Sequence, residues 1–241
     1  MARMGERKQL KRHALPKALR LPVKASTWVT KCDPGPHSTQ QAMPLRILVR
    51  DFLKLARNSK EADHLIHTGE ILVDGKARKN PKFPVGLMDV VSIPKLGKNY
   101  RILVDRHGRL RLVEIPEEEA KIKLCMVIGK RTVRGGKIQL NLHDGRNLVG
   151  DLKEIERGDV VQISVESSQL LGHLKMREGM LALIVRGKNP GILGRITEIR
   201  KTGNRTTVVL EADGSRVETP SEYAFVVGSE SPLITLPGSG D

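Results

Sequence analysis

Between Leu45 and Ala56 the chain sets apolar side chains at Leu45, Leu48, Val49, Phe52 and Leu55, the spacing of an amphipathic helix. At ~100° per residue, Arg46, Arg50, Lys54 and Arg57 then fall within an arc of ~80° opposite that stripe. One face packs and the other is cationic, so the next residues must supply a surface for the first. Ser59 is expected to cap a second helix in which Ala62, Leu65 and Ile66 form a short apolar stripe, ended by Gly69. Ile71 to Val73, the Asp74-Gly75 reversal and Lys76 then read as strand and turn. After a basic loop of Arg78, Lys79 and Lys82, Met88 to Ile93 reads as a second strand.

A cationic helix face is often only a solvated face, and here the charge of the whole chain bears on it. Lys and Arg number 42 against 27 acids in 241 residues, a net charge of +15 with pI ≈ 10.1. Such an excess points to a polyanionic partner or an anionic membrane surface. No run of ~18 apolar residues is present to span a bilayer, and the N-terminus lacks the apolar core of a signal peptide, so export by that route is not expected. The charge is concentrated toward the front: residues 1–42 hold 9 bases and 2 acids, whereas residues 171–241 hold 9 and 8. Aromatics make up only 2%, too few for a protein that grips single strands by stacking bases, which points instead to structured RNA held through phosphates and shape. Cys32 and Cys125 lie far apart without a CxxC partner, so neither a disulfide framework nor a zinc site is expected, and a reducing cytoplasm is the simplest setting.

Residues 1–42, with prolines at 16, 22, 34 and 36, have no periodic face on which to build a core; they read as an extended basic arm that orders only against something else. Trp28 either stacks on a base or packs against the neighbouring domain, packing being favoured. Residues 43–97 form the helical unit described above, and the pattern beyond Pro94 becomes strands. Tyr100 to Val104 and Leu110 to Ile115 flank a turn; Glu117 to Ala120 suggests one helical turn. Ile122 to Ile128, Lys137 to Leu142 and Asp159 to Val165 continue a small β domain over residues 98–170. In residues 171–241, Met180 to Val185 and Ile192 to Ile196 flank the loop from Arg186 to Gly191. Its glycines allow backbone conformations closed to other residues and let a polyanion approach closely. Arg205 to Glu211, Arg216 to Thr219 and Ala224 to Val227 would complete a barrel. The fold class expected is α+β, mostly β.

Two helices and a hairpin carrying "GEILVDGK" and "GLMDVVSIP" resemble the S4-type RNA-binding domain, and the glycine loop between strands resembles a KOW motif within an SH3-like barrel. Taken in order, "TWVTKCDPGPHS", "PLRILVRDFLKLA", "FPVGLMDV", "GGKIQLNLHDGRNL" and "ETPSEYAFVVG" are similar to the archaeal and eukaryotic small-subunit ribosomal protein S-four-e family across nearly the whole chain. The chain departs from it at Ala18-Leu19-Arg20, where members commonly carry tryptophan, and at Cys32, where proline is frequent. The resemblance implies a structural constituent of the small ribosomal subunit, in the cytoplasm, with small-subunit rRNA and neighbouring ribosomal proteins as partners, and no catalysis or cofactor.

The RNA contacts expected are Arg3, Arg7, Lys8, Lys11, Arg12, Arg20, Lys24 and Lys31 in the arm and Arg46, Arg50, Lys54, Arg57, Lys60, Lys76, Arg78 and Lys79 in the S4-type unit. Lys130, Arg131, Arg134 and Arg146 in the central loops and Arg186, Lys188, Asn189 and Arg195 around the glycine loop complete the set. Two other readings remain: an RNA-modifying enzyme, since S4-type units also precede pseudouridine synthase domains, and a KOW-bearing regulator outside the ribosome. The first needs a catalytic domain and a catalytic aspartate for which two small β domains leave little room. The second would bind a polymerase through an apolar patch, whereas the arm's net +7 favours bulk RNA. No Ser-His-Asp, Cys-His or metal-binding constellation is evident; His64 and His67, three apart on the second helix, read as surface or capping residues, and His143 as a loop residue that hydrogen-bonds locally or to RNA.

Overall fold

Glycine-punctuated runs of β-branched and leucine residues build three five-stranded antiparallel sheets among the described residues. The structure is a computed structural model that describes residues 9–22, 24, 26–203, 205–212 and 214–236, so Arg3, Arg7 and Lys8 lie outside the described residues. In the first sheet the spatial order is Lys76–Ala77, Leu72–Val73, Val90–Ile93, Lys98–Val104, Leu110–Ile115. Asp74 (φ 50°) and Gly75 (φ 71°) form its two-residue reversal, with Val73 opposite Lys76. Positive φ at both central positions is the hairpin turn that Asp-Gly favours. The hairpin 98–115, which the sequence groups with the central segment, is hydrogen-bonded to Val90–Ile93 and so extends the sheet of the helical unit.

The second sheet runs Asn147–Gly150, Ile138–Leu142, Ile122–Thr132, Val160–Ser164, Leu170–Leu174. The third runs Ser215–Pro220, Arg205–Ala212, Leu193–Thr202, Leu181–Ile184, Ala224–Gly228. The edge strands 147–150 and 170–174 escape a sequence reading because each is short and half-solvated, with little alternation to betray it.

The leading helix is shorter than its periodicity suggests. Helix α1 (Leu45–Ile47) runs straight into a π-helical stretch, Leu48–Phe52, in which the Leu53 N–H donates to the Leu48 carbonyl at 2.9 Å. Lys54 then takes a left-handed backbone (φ 55°) and ends the element. A π turn needs more residues per revolution than an α turn, so the wheel that aligned four bases does not hold, and Lys54 and Arg57 lie beyond the helix. Helix α2 (Ser59–His67) is capped by Asn58 rather than Ser59: the Glu61 N–H donates to Asn58 Oδ1 at 2.9 Å, and the Glu61 carboxylate accepts from the Arg57 N–H at 2.8 Å.

The described part of the arm is knitted to the chain's own helical unit. Ala18, Leu19 and Leu21 are buried in one core with Leu45, Ile47, Leu48, Ile66 and Val85. At ~1.5–3 kcal/mol for each large apolar side chain buried, the two leucines alone oppose an arm left free in water. The Ala18 carbonyl accepts from the Leu110 N–H at 2.8 Å, the Asp33 N–H donates to the Lys82 carbonyl at 3.0 Å, and Arg12 donates to the carbonyls of Leu21 and Pro22. Expectation and structure part here because these anchors are too few and too unevenly spaced to show periodicity. A second core joins all three sheets: Leu103 from the first, with Met88 from the turn leading into it, Leu124 and Val160 from the second, and Ile184, Leu210 and Phe225 from the third. The third core, around Val127, Leu140 and Ile163, belongs to the central sheet.

Candidate nucleic-acid interface

Cations are sorted by what they already touch. Arg46 forms a two-pronged pair with Asp63 (Nε to Oδ1 2.6 Å, Nη2 to Oδ2 2.7 Å), and Arg50 does the same with Asp51 (2.9 and 2.8 Å) while also donating to Ser59 Oγ at 2.7 Å. These arginines, expected on an open cationic face, are half-buried; the Arg46–Asp63 fork and the Arg50–Ser59 hydrogen bond tie the leading helix to α2. Arg78 lies over the Phe83 ring, its Cζ 4.6 Å from the ring centroid. Lys130 donates to the carbonyls of Lys153 and Ile155 at 2.7 and 2.8 Å, pinning a loop, and Arg186 donates to Gln41 Oε1. Lys11 sits 5.5 Å from the Trp28 ring centroid. Lys31 and Asn189 are half-buried. Arg20, Lys24, Lys54, Arg57, Lys60, Lys76, Lys79, Arg131, Arg134, Lys188 and Arg195 are exposed.

Arg146 is the clearest departure from expectation. It bridges Asp74 (2.9 Å), Asp144 (3.3 Å) and Ser168 Oγ (3.4 Å), as part of a buried network that sequence reasoning missed. At its centre Lys123, fully buried, places Nζ 2.6 Å from Asp74, 2.6 Å from Asp89 and 3.1 Å from Asp144. Asp89 also accepts from the Gly86 N–H at 2.9 Å and meets His37 of the arm at 2.9 Å. The network therefore ties arm, first sheet and central sheet. Burial alone would favour neutral groups, yet Lys123 and His37 hold Asp89 well below the usual carboxylate range, and the carboxylates hold the Lys123 ammonium above its ordinary value. A lysine at the second position of "IKLCMV", an otherwise apolar strand, was the available signal.

His143 closes the network and serves the protein rather than a ligand. Its Nδ1 accepts from the Met126 N–H at 3.2 Å, leaving Nε2 to donate to the Leu87 carbonyl at 3.2 Å, and its ring meets Phe225 edge-on at 5.7 Å. A proton on Nδ1 would break the first of these bonds. Burial, with Lys123 close by, brings its pKa from 6.5 down to about 4; Asp144 and His37 are the other charged or titratable groups facing it. Between those values the unfolded chain binds a proton at this residue and the folded chain does not, so stability falls as pH drops through that window. A fall in Tm on the order of 5 °C is expected between pH 6.5 and 5, and His143→Gln should flatten it. Equal slopes for the two proteins, followed by circular dichroism, would assign the acid sensitivity elsewhere.

His64 and His67 are both exposed, His67 Nδ1 lying 2.6 Å from the Asp63 carbonyl. No cluster of three or more His, Cys, Asp or Glu suited to a metal occurs among the described residues, and no described helix is long and apolar enough to cross a membrane.

A helical pair with a type I′ hairpin, flanked by two further antiparallel sheets and bearing exposed bases, defines a multi-sheet protein built around an S4 domain. The chain matches the S4 domain over residues 43–91, the RS4NT (NUC023) domain over 4–40 and Ribosomal family S4e over 96–170. It is 44% identical to small ribosomal subunit protein eS4 of Methanothermobacter thermautotrophicus and 43% identical to that of Methanosphaera stadtmanae, covering 99% of each chain in both pairs. The crystal structure of the 30S ribosomal protein S4e from Thermoplasma acidophilum superposes with a TM-score of 0.70 at 34% identity, covering 79% of this chain and 96% of that one. The chain belongs to the small ribosomal subunit protein eS4 family.

Proposed function

We propose that the protein is a structural constituent of the small ribosomal subunit, in the cytoplasm, and that it organises small-subunit rRNA beside neighbouring ribosomal proteins without catalysing a reaction. The observation that carries this reading is end-to-end similarity at 44% identity to a small ribosomal subunit protein, in a chain of net charge +15. Within it, the third sheet is read as an SH3-like barrel of KOW type. Leu181–Ile184, the glycine loop and Leu193–Thr202 supply the strand-loop-strand piece, and the remaining three strands complete the antiparallel order. The layout proposed is arm 1–42, S4-type unit 43–97, central β unit 98–170 and barrel 171–241, amended in that the hairpin 98–115 joins the sheet of the S4-type unit.

Phosphate contacts are assigned first to cations whose charge stands in water. Lys54, Arg57 and Lys60 lie together around the start of α2, and Lys76 and Lys79 on and after the type I′ hairpin. Arg46, through its fork on Asp63, and Arg50, through Ser59, serve to set the helix angle. Replacing Lys54, Arg57 and Lys60 together by Glu should weaken binding to small-subunit rRNA by at least about tenfold and lower the slope of log affinity against log salt by about three. Because all three side chains are exposed, Tm should hardly move. Filter-binding titrations at several salt concentrations measure both quantities. An unaltered slope would remove this surface from the interface, and recovery of the chain from cells only in the soluble pool, away from small subunits, would remove the function.

A further inference from the structure

The chain has one Trp, two Tyr and three Phe, and among these six only Trp28 is exposed, with 53% of its surface in water. It lies on the two-stranded ribbon of Leu10–Lys11 and Trp28–Val29, directly opposite Lys11, whose ammonium stands 5.5 Å from the ring centroid. The ring borders a groove of ≈ 770 Å³ that also takes in Lys31, Lys82, Thr30, Thr39 and Asp33. Asp33 accepts from the Asn80 side chain at 3.0 Å, so the groove's acid already has a partner, and with Lys11 the bases outnumber it. The packing role considered for this residue is not the one seen: Val29 packs against the first core, and the indole stands half in water.

From this geometry we infer that Trp28 is a stacking platform for one unpaired nucleotide of RNA, the base lying on the ring and its phosphates held by Lys11 and Lys82. The inference rests on the RNA-binding reading above and deepens it: scarce aromatics exclude a continuous single-strand track but leave room for one splayed base in an otherwise folded RNA. An indole offers the largest aromatic face in the protein, and the Lys11 ammonium over the ring adds both ring polarisation and phosphate attraction.

Being the sole tryptophan, residue 28 reports on itself. The full chain is titrated with oligouridylate, with a blunt RNA duplex lacking unpaired bases, and with heparin, while indole emission and binding anisotropy are followed. Oligouridylate should quench the emission in a saturable way and the duplex and heparin should leave it nearly unchanged. Trp28→Ala should bind oligouridylate roughly tenfold more weakly, with duplex affinity unchanged, and Trp28→Phe should recover most of the loss. Equal quenching by heparin would reduce the groove to a polyanion site and overturn the inference. Unchanged emission in a protein that still binds small-subunit rRNA would overturn it while leaving the RNA-binding reading intact; failure to bind any of these RNAs would remove both.

Discussion

Lys123→Ala should cost about 3–5 kcal/mol of stability, a large share of the ~5–15 kcal/mol that holds a protein folded. The reason is geometric. Asp74, Asp89 and Asp144 each lie within 3.1 Å of the one buried ammonium, and without it three carboxylates repel one another with Arg146 and His37 left in contact to answer them. Removing one partner of a buried ion cluster leaves charge that neither water nor protein stabilises. The defect should ease at pH 5, where the stranded carboxylates, their pKa values now raised, take up protons that they lack at pH 7. Lys123→Met combined with Asp89→Asn should recover part of the loss at pH 7, because the double variant buries one less unpaired charge. Urea unfolding of the three proteins at both pH values measures this; a loss below about 1 kcal/mol would show the cluster to be well hydrated.

Gly191→Ala should destabilise the protein by about 3 kcal/mol. Residue 191 has φ +73°, and a Cβ there would stand 2.5 Å from the carbonyl carbon and oxygen of Asp105 and 2.6 Å from the amide nitrogen of Arg106. Left-handed backbone strain contributes ~1–2 kcal/mol, and forcing an atom into packed backbone adds ~1–3 kcal/mol. Gly203 supplies the control, with φ +58° and nothing within 4 Å of its added Cβ, so that Gly203→Ala should show only the strain. Equal losses for the two variants would mean that the contact between the glycine loop and the turn after residue 104 yields easily. The same contact corrects a reading of the loop: at Gly191 the close approach permitted by a missing side chain is taken by the protein's own backbone, not by a polyanion.

What could be read from the sequence was local. Strands 110–115, 138–142, 181–184 and 224–228 follow from short β-branched and leucine runs between turn residues, and the Asp74-Gly75 reversal from two positive φ angles that this dipeptide tolerates. Helix α2 was legible but for its cap, which fell one residue earlier. The bases at Lys54, Arg57, Lys60, Lys76 and Lys79 were found and are exposed. Arg46 and Arg146 were found as well, but a residue's type does not reveal a carboxylate 17 or 72 positions away that claims it.

The chain by itself determined its element types, its turns, its family and the sign of its charge, because each depends on neighbours within a few residues or on a simple sum. Only the folded molecule decided which cations stay in water, since that depends on which carboxylates the packing brings alongside. Asp74 and Asp144 illustrate the division. Each is a sound turn residue in its own stretch of chain, yet Asp74 reaches Lys123 only when the first and central sheets meet, and Asp144 only when the 138–150 hairpin pairs with strand 122–132, because in a buried setting a charge without a partner is too unfavourable to survive.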